Sequence, residues 1–377
     1  MTPRERLLAV YRGQVPDRVP ALADLSYWHA AHGGGKFIPG KTDGANADKI
    51  SRLLELHRQT GAAIHLNLGS FYAEQYEDTV RVESGIRGEF YRHRFETPVG
   101  AVEEVRCWSP VTFSWPIVQR MVRSVADLKV IRYIFEHVSY SACWEAFRQA
   151  EQMVGDLGVP LVQSPYTGLG FLMSRYAGIE QTVLLAVDEP EEFEHTIATI
   201  NAAHEQVFRL LAEGPSQVLI QSDNLSSDVQ SPPWLERYSG AYYRKMAQIA
   251  HANGKPLVSH LDGRLRGLLS TLTAMGFDGA DAVTPAPWGD LGPQACRDEA
   301  GPKFVLSGGI PPGSFREDVP LRVLDEQIEA WLDLRHRSPA LIIAPGDQLP
   351  PDGQIERVTR MVQITAGATC RSASGDS

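Results

Sequence analysis

Residues 256–284, PLVSHLDGRLRGLLSTLTAMGFDGADAVT, contain two short apolar runs separated by one amphipathic stretch. Pro256–His260 and Ala280–Thr284 have the length and composition of strands, whereas Leu265–Met275 repeats its large apolar residues at helical spacing. A helix between two strands leads the chain back to its starting end, so the strands pair in parallel. The polar residues His260 and Asp262 then stand where the first strand ends.

The same unit recurs on both sides. Val19–Leu25, Ala63–Leu68, Val159–Pro165, Gln217–Asp223, Lys303–Ser307 and Ala340–Ala344 read as further strands. Asn46–Gln59, Glu189–Glu213, Trp234–Ala252 and Leu321–Leu334 read as helices. Eight strands in this alternation predict an α/β fold, a (β/α)8 TIM barrel, with chemistry at the C-terminal strand ends. Val80–Trp108 breaks the pattern and reads as antiparallel strands. Thr97-Pro98-Val99-Gly100 between Glu89–Glu96 and Ala101–Trp108 predicts an inserted antiparallel hairpin between strands 2 and 3, at about 80–108. Thr2 and Pro3 start a helix that ends by Gly13 and would close the barrel floor. The expected organisation is one barrel over 1–365 and a flexible tail over 366–377.

The 377 residues carry 43% hydrophobic and 22% charged side chains, which is globular composition. A net charge of -10 with no basic run argues against nucleic acid and anionic membrane as partners. No opening apolar segment suggests a signal or a span, so a cytoplasmic location is expected. Cys107, Cys143, Cys296 and Cys370 show no CxxC spacing and read as reduced structural residues.

Several segments at predicted strand ends carry a resemblance. Arg4-Glu5-Arg6, Arg12-Gly13 and Pro16-Asp17-Arg18-Val19-Pro20 open the chain. Ser164-Pro165-Tyr166-Thr167, His260-Leu261-Asp262-Gly263, Ser307-Gly308-Gly309-Ile310, Ala344-Pro345-Gly346-Asp347 and Pro351-Asp352 follow in order. This arrangement resembles the uroporphyrinogen decarboxylase-like superfamily over nearly the whole chain. That superfamily holds cofactor-free porphyrinogen decarboxylases and zinc methyltransferases that pass a methyl group between a corrinoid protein and a thiol.

The resemblance is nearer the methyltransferase branch. Asp24-Leu25-Ser26-Tyr27-Trp28-His29-Ala30 stands where a decarboxylase carries an arginine clamp for carboxylates. Asn67 replaces its pyrrole-binding aspartate, Phe171 its tyrosine and Asp347 its late histidine. The methyltransferase zinc ligands, His-x-Cys and a later Cys, match His260, Asp262 and Asp347. One imidazole and two carboxylates would form a harder site, for zinc first or for manganese or iron. Without a metal they would form a hydrogen-bonded polar cluster.

Other residues complete the expected site. Asp223, in Gln221-Ser222-Asp223-Asn224, reads as a base, a ligand or a substrate anchor, or else as a helix cap. Tyr166 and Trp288, with Tyr27, Trp28 and His29, would line an aromatic wall. Gly308 and Gly309 read as a side-chain-free loop against a planar or anionic ligand, with Asn67 and Trp288 completing the cofactor contacts, or equally as a tight turn. His260, Asp223 and Tyr166 are the expected catalytic set. Gly168-Leu169-Gly170 lacks the rest of a dinucleotide fingerprint, and His57, His195, His204 and His251 read as surface or packing residues on helices.

The resemblance implies a metal-assisted methyltransferase for a small-molecule substrate. Its corrinoid would arrive on a separate, transient protein partner. Two other readings stand: a metal-free decarboxylase or lyase acting on a small aromatic or tetrapyrrole-like acid, and a non-catalytic corrinoid or tetrapyrrole binder.

Overall fold

The computed structural model describes residues 1–35 and 47–368. In chain order the strands are β1 Ile64–Leu66, β2 Tyr72–Tyr76, β3 Arg81–Arg87, β4 Phe90–Thr97, β5 Gly100–Cys107, β6 Ile117–Gln119 and β7 Val138–Ala142. There follow β8 Gly158–Pro160, β9 Gln163–Ser164, β10 Leu219–Leu225, β11 Leu257–Leu261, β12 Gly279–Val283, β13 Val305–Ile310 and β14 Leu341–Pro345.

The fold is α/β with a mostly parallel sheet. β9 to β14 pair in sequence order, each parallel to the next. β1 pairs in parallel with β8. Parallel bridges Ala21↔Ile343 and Leu22↔Ala63 place the segment expected as the first strand between β14 and β1. Only two residues bridge there, because Pro20 offers a carbonyl to Ile343 N but no N–H in return. Val159–Pro165 likewise divides into β8 and β9 after Pro160.

Alternation sorts the strand residues into two cores. Leu219, Leu257, Leu306, Leu341 and Ile343 face the covering helices. Leu22, Ala63, Val159, Ile220, Val258, Val305 and Ile342 share a separate cluster with Leu7, Val10 and Tyr11 of the first helix. That helix, Pro3–Tyr11, begins as its sequence predicts: Thr2 Oγ1 accepts from Glu5 N, and the Glu5 carboxylate accepts from Thr2 N.

The segment after β1 holds more antiparallel structure than a hairpin. β4 and β5 meet at Thr97↔Gly100 as the turn predicts, but β3 and β6 extend them to four strands, and β2 pairs with β7. A third apolar core joins Val80, Phe95 and Val102 to Leu128, Ile131 and Ile134 of the helix Val125–Glu136. Helix Ala47–Thr60 matches the expected Asn46–Gln59, whose Asn46 lies outside the described residues, and the last helix ends at Ala366. Of the expected tail, residues 369–377 lie outside the described residues. Among the described residues no helix is long and apolar enough to cross a membrane.

Candidate active site

The period of two that puts Val258 and Val305 in the inner cluster carries His260 and Ser307 to the same side, one step nearer the C-terminal strand ends. Asp281 on β12 joins them. His260 Nδ1 lies 3.3 Å from Asp281 Oδ2, and Ser307 Oγ donates to Asp281 Oδ1 at 3.4 Å. Below them Tyr11 hydroxyl meets His65 Nε2 at 3.5 Å. The polar column therefore stands on the apolar plug built by the first helix.

His260 and Asp281 are each 21% exposed, so their charges are partly screened. Burial alone would lower the His260 pKa, but the Asp281 carboxylate, with Asp347 and Asp262 behind it, leaves it raised. Burial likewise opposes ionisation of Asp281, and His260 reverses this, holding its carboxyl below the usual value. Nδ1 is committed to Asp281; Nε2 has no protein partner among the described residues and is not a buried atom.

The three expected metal residues surround one imidazole without converging. Asp262 and Asp347 are exposed. Asp262 Oδ2 accepts from Asn224 Nδ2 at 3.4 Å, and Asp347 Oδ1 from Gln348 N at 2.7 Å. Among the described residues no group of three or more His, Cys, Asp or Glu side chains could hold a metal ion. As placed, this donor set does not fit a shared ion.

Asp223 has a different role from the expected base or anchor. It is fully buried, its Oδ1 accepts from Thr167 N at 2.7 Å, and its Oδ2 accepts from Tyr243 hydroxyl. Burial raises its pKa to about 6. With both oxygens used, it fixes the loop after β9 and leaves no face for a substrate. That loop presents Tyr166, whose hydroxyl donates to Asn224 Oδ1 at 3.4 Å. Thus Tyr166, Asn224 and Asp262 form a chain leading toward His260.

Gly308 and Gly309 are not a loop. Both lie buried inside β13 with φ of 139° and 105°, and a Cβ would strike the Val283 backbone or the Trp331 indole. Close packing accounts for them. Asn67 is exposed and turns back on its own loop, Oδ1 accepting from Gly69 N at 2.9 Å. Trp288 is 64% exposed and covers Gly313. Neither reaches the His260 cluster through a hydrogen bond or ring contact. Of the first-strand aromatics, Trp28 stacks on His32 at 4.0 Å and donates from its indole to Gly353 O.

Sequence reasoning passed over Asp281, Asn224 and Arg175. A lone aspartate within Gly279–Val283 was the available signal, since a charge in an interior strand needs a partner. Asn224 and Ala282 have φ of 50° and 58°, and the pairing register shifts at both. Such left-handed non-glycine residues are strained, and strain gathers at functional sites.

Comparison with known proteins gives the family and the fold. A family model described as Uroporphyrinogen decarboxylase (URO-D) matches residues 110–367, well over half of the chain. The chain belongs to the uroporphyrinogen decarboxylase family. Among solved structures this family member is similar to a "methyltransferase from Methanosarcina mazei", with 15% identity over 97% of this chain and 99% of that one, at TM-score 0.65. At that identity the likeness establishes the fold. A structure of the pneumococcal virulence factor StrH, at 10% identity over 95% of this chain and 83% of that one, reaches TM-score 0.34 and carries no argument. No curated protein matches.

Proposed function

We propose that this URO-D family member is a methyltransferase that moves a methyl group to or from a small acceptor, with His260 as the proton-handling residue. The single observation that carries the reading is the half-buried pair of His260 and Asp281, with Nε2 open at the C-terminal strand ends. The ring of parallel pairings, with one core inside and one outside, supports reading residues 1–365 as a single closed (β/α)8 barrel.

Methyl transfer to a thiol or phenol breaks the donor–methyl bond, forms the acceptor–methyl bond and releases the acceptor's proton. His260 Nε2 takes that proton, and Asp281 stabilises the resulting imidazolium while fixing the ring through Nδ1. A pKa raised from 6.5 makes the neutral imidazole a stronger base. Tyr166, set by Asp223 and His204, gives the acceptor a flat wall. A corrinoid donor, carried by a separate protein, suits the resemblance to the methyltransferase branch.

The methyltransferase reading is favoured over decarboxylation by the Asp24–Ala30 segment, which lacks an arginine clamp, and by Phe171. Phe171 packs edge-on against Phe135, Tyr176 and His204 and has no hydroxyl to donate. The test is product analysis with isotopically labelled methylcobalamin as donor and simple thiols or phenols as acceptors. Labelled thioether or aryl ether supports the proposal; carbon dioxide release from aromatic or tetrapyrrole acids, with no methylated product, overturns it.

A further inference from the structure

We propose that Arg175 is the anchor for a carboxylate on the substrate, so that the acceptor is a small, flat organic acid. This deepens the proposed function by naming a substrate class, and it rests on that reading only for the ligand's orientation toward His260.

Arg175 lies beside the chain of polar groups that leads to His260. Its guanidinium carbon sits 5.3 Å from the centre of the Tyr166 ring. Tyr166 hydroxyl bonds Asn224, and Asn224 bonds Asp262. Both bonds are long, at 3.4 Å, so a ligand polar group replaces them at little cost.

Arg175 is only half-buried, and among the described residues it makes no ion pair. Several other arginines are occupied. Arg132 pairs with Glu192, Arg237 with Glu194 and Arg244 with Glu236. Arg120 donates to the Ser174 and Arg175 carbonyls. Arg175 also hydrogen-bonds the Tyr166 side chain; a guanidinium has five N–H donors, so others remain to meet a carboxylate in two-point contact.

The surroundings hold this cation in advance of any ligand. Arg175 belongs to a wide π-helical turn, Leu172–Tyr176, a geometry that recurs at functional sites. Arg120 fixes the turn from one side. The preceding loop is tied by Asp223 to Thr167 N, by His204 to Tyr166 O and by Asn201 to Gly168 N. Binding therefore requires little ordering of the protein, which favours affinity for a small ligand. The Tyr166 ring beside the cation supports a flat body on the acid.

The experiment is calorimetric titration of the full chain with acetate, benzoate and 2-naphthoate, with benzamide as the uncharged control and inorganic phosphate as the competing anion. Affinity should rise from acetate to 2-naphthoate. Arg175→Gln should weaken benzoate at least ten-fold and leave benzamide unchanged, with Arg175→Lys between. His260→Gln should leave benzoate binding intact, which separates this site from the proton-transfer reading. Thermal unfolding of both Arg175 variants checks that they fold. Equal benzoate affinity in wild type and Arg175→Gln, phosphate binding tighter than any carboxylate, or no carboxylate binding at millimolar concentration overturns the proposal.

Discussion

Replacing Asp281 with Asn removes one charge and keeps the shape of the pair. The Asn carbonyl can still accept from Nδ1, so the variant isolates the electrostatic part. At 3.3 Å the attraction between unit charges is about 1 kcal/mol in water-like surroundings and about 5 kcal/mol at an effective dielectric constant of about 20. With both side chains 21% exposed, the value lies between these limits. One pKa unit corresponds to about 1.4 kcal/mol, so His260 should become less basic by about one to three units. Asp347 and Asp262 still raise it in the variant, while burial pulls it down. The assay is NMR titration of labelled histidine side chains, with the His260 resonance assigned from His260→Gln. The sign is fixed by both partners. His260, with its pKa raised, contributes stability that is lost as pH rises through its folded value; Asp281, with its pKa lowered, contributes stability that is lost as pH falls through its own. The pair stabilises most between the two. A His260 shift below about 0.3 units on removing the charge would refute the ion pair.

Three further predictions concern the frame. Arg297, 2% exposed, donates at 2.7 Å to the carbonyls of Gly301, Phe304 and Ala340; Arg297→Met should cost about 3–5 kcal/mol in urea unfolding, and a loss under about 1 kcal/mol would contradict the caging role. Gly309→Ala should destabilise by about 2–4 kcal/mol, because its φ of 105° and the Trp331 indole both resist a Cβ; unchanged thermal stability would show that the strand relaxes. His204 is buried and neutral, with its pKa lowered from 6.5 to about 4. Its unfolded form therefore binds more protons in that window, and up to about 3 kcal/mol of stability is lost as pH falls from 6.5 to 4. His204→Gln should flatten that slope in unfolding measured at stepped pH, and an unaltered slope would rule His204 out as its source.

The strand–helix alternation was legible because apolar runs of five or six residues and helical periodicity leave direct marks on composition. The antiparallel region was only partly legible. Thr97-Pro98-Val99-Gly100 announced one turn and β3 falls within the expected Val80–Trp108, whereas β2, β6 and β7 lie outside that span and bury no residue that would betray them. Gly308-Gly309 misled for the opposite reason: a glycine pair shortly before Pro311-Pro312 reads as a loop, and the contacts that require glycine, Val283 and Trp331, are distant in sequence. His260 was found from its place at a strand end. Its partner Asp281 was not, because pairing across β11 and β12 depends on register, which no local spacing encodes. Asp223 was singled out for the right chemistry and the wrong side: its strand carries it to Thr167 and Tyr243 rather than to open space.

In the proposed reaction His260 moves the acceptor's proton. The most direct measurement is the methyl-transfer rate of His260→Ala with and without added imidazole, using labelled methylcobalamin and a thiol or phenol acceptor. The rate should fall roughly a hundred- to ten-thousand-fold, the range for a lost general base, and recover in part as imidazole occupies the space of the missing ring. A His260→Ala variant that transfers methyl groups at the wild-type rate would contradict it.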